Sequence, residues 1–257
     1  MRGAVDAHTH LDDARFDADR EAVWARARAA GITGAVIAAA DPRDWDRVEA
    51  VATSLGLAWT LGVHPWWVPE LDADARAAAL QALAARPTPH GIGETGLDHH
   101  RARTPEARAA QLDLLRAHLA LARERDVPVV LHCVRAYPEL LRVLAQDGLP
   151  AAGGMVHAWS GPAALVDEAV ARGLHVSVGA PVTRSAEVAA AAVRVPAHRL
   201  LLETDCPDQP LVRGTRGEPV HLLDVAERVA ALRGEPADLV LARAADAART
   251  LFPVLQA

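Results

Sequence analysis

Six segments of this 257-residue chain carry side chains that bind metal ions or move protons. The first is "DAHTHLDD", residues 6–13, in which His8 and His10 stand one residue apart after Asp6. "GVHPWW" follows with His64, "GIGETGLDHH" with Glu94, "VPVVLHC" with His132, "GGMVHAWSG" with His157 and "LLLETDCP" with Glu203 and Asp205. Side chains at i and i+2 of a strand point the same way, so His8 and His10 aim at one ion. Asp6 shares their face one step deeper, as a supporting partner. The same alternation sets Glu203 beside Asp205 and turns Cys133 away from His132. His8, His10, His132 and His157 with Glu94 and Asp205 exceed what one tetrahedral ion takes. Two ions sharing a carboxylate fit better, with Glu94 as the bridge. Two ions about 3.5–4 Å apart activate a shared water and clamp the attacking and leaving oxygens of a phosphodiester. His90, His118, His175, His198 and His221 fall outside this pattern and read as structural.

The elements that must position these residues alternate along the chain. Strand-like apolar runs fall near 3–8, 34–39, 58–63, 90–94, 127–132, 154–157, 174–178 and 200–204, with amphipathic Ala/Arg/Glu-rich segments between them. The clearest helices are 18–30, stopped by Gly31, 73–85 before Pro87, and 105–125, where Thr104-Pro105-Glu106 gives an N-cap with proline in the first turn. Ser160, Pro162 and Gly173 bracket another, and two more follow at about 219–232 and 236–251. Eight strands alternating with helices predict a parallel sheet closed into a (β/α)8 TIM barrel, with a doubly wound open sheet as the alternative. In a barrel the downstream strand ends form the mouth, where all six segments place their polar residues. No linker or change of composition divides the chain, so residues 1–257 read as one domain.

Composition sets limits on the chemistry. The 27 basic residues are all arginine, which excludes a Schiff-base lysine and a carboxylated bridging lysine. A net charge of −6 argues against broad electrostatic tracking of nucleic acid but leaves room for local contacts through arginines and metal ions. Cys133 and Cys206 read as buried free thiols. With no apolar run of membrane-spanning length and no signal-peptide pattern at Met1-Arg2-Gly3, we expect a cytoplasmic protein, and a monomer.

Taken in order, the segments resemble the TatD family of metal-dependent deoxyribonucleases, within the amidohydrolase-like barrel superfamily. "GIGETGLD" and "LLLETDCP" carry most of the likeness, supported by "GVHP" and the H-x-W-S-G of 157–161, and it extends over nearly the whole chain. The resemblance implies that His8, His10, Glu94 and Asp205 hold one ion and Glu94, His132 and His157 a second. Mg²⁺ or Mn²⁺ would be the usual activators, and Zn²⁺ suits an imidazole-rich site. It implies catalytic roles for Glu94, for Asp205 in orienting or deprotonating the attacking water, and for His64 at the substrate phosphate or that water. The implied reaction is hydrolysis of DNA phosphodiesters from a strand end, with single strands as the expected partner. Substrate contacts are expected from His64, Trp66, Asp98, Arg135, Glu203 and Arg213.

The departures from the family pattern cluster on the substrate side. The arginine after strand 5 is shifted to Arg135 and its aspartate neighbour is absent; His99 and His100 replace a tyrosine pair; "DCPDQP" replaces D-S-P-Y-L; and the C-terminal asparagine is missing near Ala247. His99 and His100 serve either phosphate or extra-ion binding or a solvated loop. Trp66 and Trp67 stand where a second histidine is usual, either as a base-stacking surface or as an apolar cap on the rim. These changes leave open a hydrolase of the same superfamily acting on another ester or an amide, such as an aminoacyl ester on tRNA or a lactone. A non-catalytic metal-binding barrel ranks last, because no ligand position is eroded.

Overall fold

Among the described residues, short aliphatic and β-branched runs form eight strands: β1 Ala4–Thr9, β2 Ile32–Ala38, β3 Ala58–Thr60, β4 Ile92–Asp98, β5 Val129–Val134, β6 Gly154–Val156, β7 Leu174–Val178 and β8 Leu200–Leu202. Nine α-helices separate or follow them among the described residues: α1 Arg20–Ala29, α2 Trp45–Leu55, α3 Ala73–Ala85, α4 Pro105–Arg125, α5 Tyr137–Asp147, α6 Val166–Ala171, α7 Ala186–Arg194, α8 Leu222–Arg233 and α9 Ala237–Leu251. These elements come from a computed structural model that describes residues 3–256. Met1, Arg2 and Ala257, included in the expected single domain and, for the first two, in the reading of the N-terminus, lie outside the described residues.

The strands pair in parallel and in chain order, β1-β2-β3 in one ladder and β4 to β8 in another. Backbone hydrogen bonds span both seams. Leu61 N donates to Gly91 O (3.3 Å) and Gly93 N to Leu61 O (2.9 Å) between β3 and β4. Asp205 N donates to His8 O (3.0 Å) and His10 N to Cys206 O (2.8 Å) between β8 and β1. This is the expected α/β barrel, and both seams are stitched beside prospective ligands. Inside it, Val5, Ala7, Val36, Ala58, Val130, Met155 and Leu201 form one apolar layer with Ala248, Leu251 and Phe252. The end of α9 therefore plugs the barrel below, and the polar residues lie above that layer.

Helices with a clear cap fall where they are expected. Thr104 Oγ1 accepts from Ala107 N (3.2 Å) ahead of α4, and Asp72 Oδ1 accepts from Ala75 N (2.8 Å) ahead of α3. Three strand expectations are corrected. β4 begins and ends later than 90–94, because its glycines permit close strand approach instead of a turn. A Cβ on Gly96 would lie 2.0 Å from His132 O, and one on Gly93 2.4 Å from Val130 O. β1 has a register shift between Asp6 and Thr9, which interrupts the strict alternation assumed for Asp6. β8 ends at Leu202, and Asp205 has φ 51°, so Glu203 and Asp205 do not share a strand face. Both cysteines are buried and free.

Candidate metal centre

Glu94 occupies the middle of the mouth at 1% exposure. Its two oxygens face different partners. Oε1 lies 2.7 Å from His157 Nε2, 2.8 Å from His64 Nε2 and 3.0 Å from His132 Nδ1. Oε2 lies 3.3 Å from His8 Nε2 and 3.7 Å from His10 Nε2. Asp205 Oδ1 completes the second group, 3.5 Å from His8 Nε2 and 3.3 Å from His10 Nε2. The six residues expected to hold metal thus converge on one point of the mouth from β1, β4, β5 and the loops after β6 and β8.

This donor set fits divalent cations. Imidazole nitrogens face one another at 3.4 Å (His8 and His10) and 3.2 Å (His132 and His157), an arrangement in which lone pairs oppose unless a cation or proton stands between them. Hydrogen bonds on the far ring atoms settle which nitrogen is free. His10 Nδ1 donates to Ala38 O at 2.8 Å, leaving Nε2 for the centre. His132 Nε2 faces Asp98 Oδ2 at 3.2 Å, leaving Nδ1.

His64 differs. Its Nδ1 accepts from the Trp66 backbone N–H at 3.0 Å, so in the neutral ring the proton is on Nε2, pointing at Glu94. Burial holds the ring neutral, with a pKa lowered to about 4. Although Glu94, His132 and His64 lie close enough to share an ion, His64 is therefore a hydrogen-bond donor to the cluster rather than a ligand.

Charge balance follows from the same contacts. Burial alone would raise the Glu94 carboxyl, but His157 and His64 beside it and the bond to His132 hold it well below the usual range. Asp205 behaves alike: burial opposes ionisation, yet the bond to His10 and the neighbouring His157 and His8 lower it to about 2. Asp6 goes the other way, pushed up to about 8 by complete burial despite its bonds to Thr204.

Several expected substrate contacts are placed elsewhere. Glu203 has no exposed surface; it accepts from Ala158 N (2.7 Å) and from the Ser177 hydroxyl and lies 3.6 Å from His157 Nδ1. Its place is behind His157, not against substrate. Asp98 is 2% exposed, and Oδ1 accepts from the backbone N–H groups of His100 (2.8 Å) and Arg101 (3.0 Å). Its Oδ2 takes the Trp66 indole N–H at 2.6 Å and faces His132, so Asp98 too supports rather than contacts. Arg135 and Arg213 are exposed, and neither lines the mouth cavity. His64, Trp66 and Trp67 do line that cavity, which measures about 700 Å³.

Asp6, expected as a support, ties β1 to the ligand loop, accepting from Thr204 N (2.9 Å) and Thr204 Oγ1 (2.5 Å) directly before Asp205. One support was not legible in the sequence. Gln209, within the divergent "DCPDQP", donates from Nε2 to Asp205 Oδ2 at 2.6 Å. Arg135, Ala158, Asp205 and Gln209 all have positive φ, between 44° and 57°, in or beside loops that follow β5, β6 and β8. Strained backbone therefore gathers at this mouth, as it does at functional sites generally.

An α/β barrel with convergent imidazoles and carboxylates at its C-terminal mouth is the architecture of a metal-dependent hydrolase. The family model described as TatD related DNase matches residues 5–253, and the chain belongs to that family. It is 35% identical over 259 residues to a 3′-5′ ssDNA/RNA exonuclease TatD of Pantoea vagans, covering 96% of this chain and 98% of the relative. It is 31% identical to the uncharacterized metal-dependent hydrolase YabD of Bacillus subtilis over 256 residues, covering 97% and 98% of the two chains. The crystal structure of YJJV, a TatD homolog from Escherichia coli K12, superposes with a TM-score of 0.88 at 32% identity, covering 97% of this chain and 98% of that one. A Saccharomyces cerevisiae amidohydrolase at 16% identity shares the fold, with a TM-score of 0.84.

Proposed function

We propose that the protein hydrolyses phosphodiester bonds at the ends of single-stranded nucleic acid, DNA in the first place, using two divalent cations. The observation that carries this reading is Glu94, whose two oxygens face two separate ligand groups. His8, His10, Asp205 and Glu94 Oε2 would hold one cation, and Glu94 Oε1, His132 and His157 the other. Mg²⁺ or Mn²⁺ suits phosphoryl chemistry, and Zn²⁺ suits the imidazoles. When bound, the cations supply Lewis acidity toward water and toward the phosphoryl oxygens.

The chain's own residues do the rest. Asp205 lines the cavity, with Oδ2 held by Gln209, and takes the proton of the attacking water as the new P–O bond forms. The leaving oxygen departs as the old P–O bond breaks and takes up the proton that Asp205 gives back, which restores the carboxylate. His64 offers its Nε2–H to Glu94 or to a phosphoryl oxygen, acting as a neutral donor. Arg135 and Arg213, beyond the cavity, would meet parts of the strand away from the scissile bond. We take the protein to work as a cytoplasmic monomer. Among the described residues no helix is long and apolar enough to cross a membrane.

End-labelled and circular single-stranded oligonucleotides test the reading. Release of mononucleotides from linear but not circular DNA, dependent on Mg²⁺ or Mn²⁺, is expected. Protein with both metal equivalents and no nucleotide release would reject it. The changed substrate-side residues favour a second reading, hydrolysis of another ester or an amide, which a substrate panel with Glu94→Ala as control would then address.

A further inference from the structure

The cavity rim carries an aromatic side chain that is both exposed and rigidly held. Trp66 is 47% exposed, the largest side chain among the exposed hydrophobic residues. A rim tryptophan that only caps the core would bury its ring. Here the indole N–H is fixed at 2.6 Å to Asp98 Oδ2, a buried carboxylate oxygen that also faces His132 Nε2 at 3.2 Å. The ring stands edge-on to His64, with centroids 5.1 Å apart, and 6.3 Å from the His132 ring. It is therefore locked, through one carboxylate oxygen, at a set distance from the cluster where a phosphate would be cut.

Charge around the ring points to the same ligand. The Arg101 guanidinium lies over one face of the Trp66 ring, 4.7 Å from its centroid, and forms no ion pair among the described residues. Asp13 and Asp208, which line the same cavity, are both taken up by Arg15, with bonds of 2.7–3.0 Å. The Trp66 side of the rim thus presents an apolar ring with a cation stacked over one of its faces, while the acids at Asp13 and Asp208 are already neutralised by Arg15.

We infer that Trp66, on the ring face that Arg101 does not cover, is the stacking platform for the nucleobase adjoining the scissile phosphodiester. This rests on the nucleic-acid reading above. Stacking tolerates any base, because every base has a π-face, so the platform selects for the presence of a base and not for its identity. The link through Asp98 keeps that platform in register with His132.

The test compares two oligonucleotides, one with a normal terminal nucleotide and one abasic there, cleaved by the metal-loaded wild type, Trp66→Phe and Trp66→Leu. For the normal substrate, KM is expected to rise about tenfold or more in Trp66→Leu and clearly less in Trp66→Phe, which keeps a ring. For the abasic substrate, wild type and Trp66→Leu are expected to have the same KM. Equal KM changes on both substrates, or none, would overturn the inference while leaving the nuclease reading intact. Absence of cleavage by the wild type would instead reject the nuclease reading. If Trp66→Leu loses turnover, anisotropy of the same two oligonucleotides with chelator present reads the comparison without cleavage: a base-dependent loss of binding supports the platform, and a base-independent one overturns it.

Discussion

Gly96→Ala probes how the "GETG" segment sets the metal centre. Gly96 pairs with His132 across β4 and β5, and its φ is +142°. A Cβ there would lie 2.0 Å from His132 O, 2.9 Å from His132 C and 3.0 Å from His132 N, all backbone atoms that cannot swing aside. Real Cβ contacts do not come below 3.0 Å, so the two strands must part by about 1 Å or more at this pair. Overpacking of this kind costs about 1–3 kcal/mol, and a side chain forced into positive φ adds about 1–2 kcal/mol. The sum is a large part of a stability of about 5–15 kcal/mol, so the variant folds but is markedly weakened. Parting the strands also moves His132 away from Glu94, now 3.0 Å distant. A displacement of about 1 Å lowers turnover by about 100-fold. Urea unfolding and kcat at saturating metal would read both effects. Gly56→Ala is the control, since Gly56 has φ 67° but nothing within 4 Å of its Cβ position; it should lose about 1 kcal/mol and no turnover. A Gly96→Ala variant as stable and as active as the wild type would refute the view that close backbone approach positions His132.

His118 gives a pH signature independent of the centre. Its Nδ1 donates to Leu114 O, its Nε2 accepts from Val63 N, and burial lowers its pKa from 6.5 to about 4. The unfolded chain therefore binds more protons between those values, so stability is complete above pH 6.5 and falls as the pH drops toward 4. Between pH 7.5 and 5 this one group should cost about 2 kcal/mol that His118→Gln does not lose, read by urea titrations of metal-free protein; identical pH slopes would contradict the assignment. Gln209→Leu should lower kcat about 10- to 100-fold with little change in KM, because it frees Asp205 Oδ2, and unchanged kcat would show that the bond does not orient the carboxylate. Phe252→Ala, at the fully buried plug of the barrel, should cost about 3–5 kcal/mol in chemical unfolding. Its kcat when folded should match the wild type, and a large kcat loss would mean that the plug and the mouth are coupled.

What the sequence shows of the fold follows from how local each signal is. α3 and α4 match their expected bounds to the residue because a cap and a long periodic run lie within each segment. β7 is equally local. β4 runs on to Asp98, past the expected 94, and only the opposite strand reveals that Gly93 and Gly96 make room for backbone. Site residues at strand ends could be nominated from residue type and topology, since a parallel barrel gathers those ends wherever they lie in the chain. A left-handed Asp205 was enough to separate Glu203 from the partner that alternation gave it. The proton position on His64, the Gln209 bond and the Trp66–Asp98–His132 link depend on contacts across 2 to 34 residues, with no periodic trace.

Titrating metal into metal-free protein, while following both bound metal and nucleotide release from single-stranded DNA, tests whether Glu94 would serve two cations at a nuclease centre. Activity should saturate as the second equivalent binds, and Glu94→Gln should lose both tight binding and most of its turnover. Full activity with one equivalent, or a Glu94→Gln variant that still binds two ions and cleaves at the wild-type rate, would contradict it.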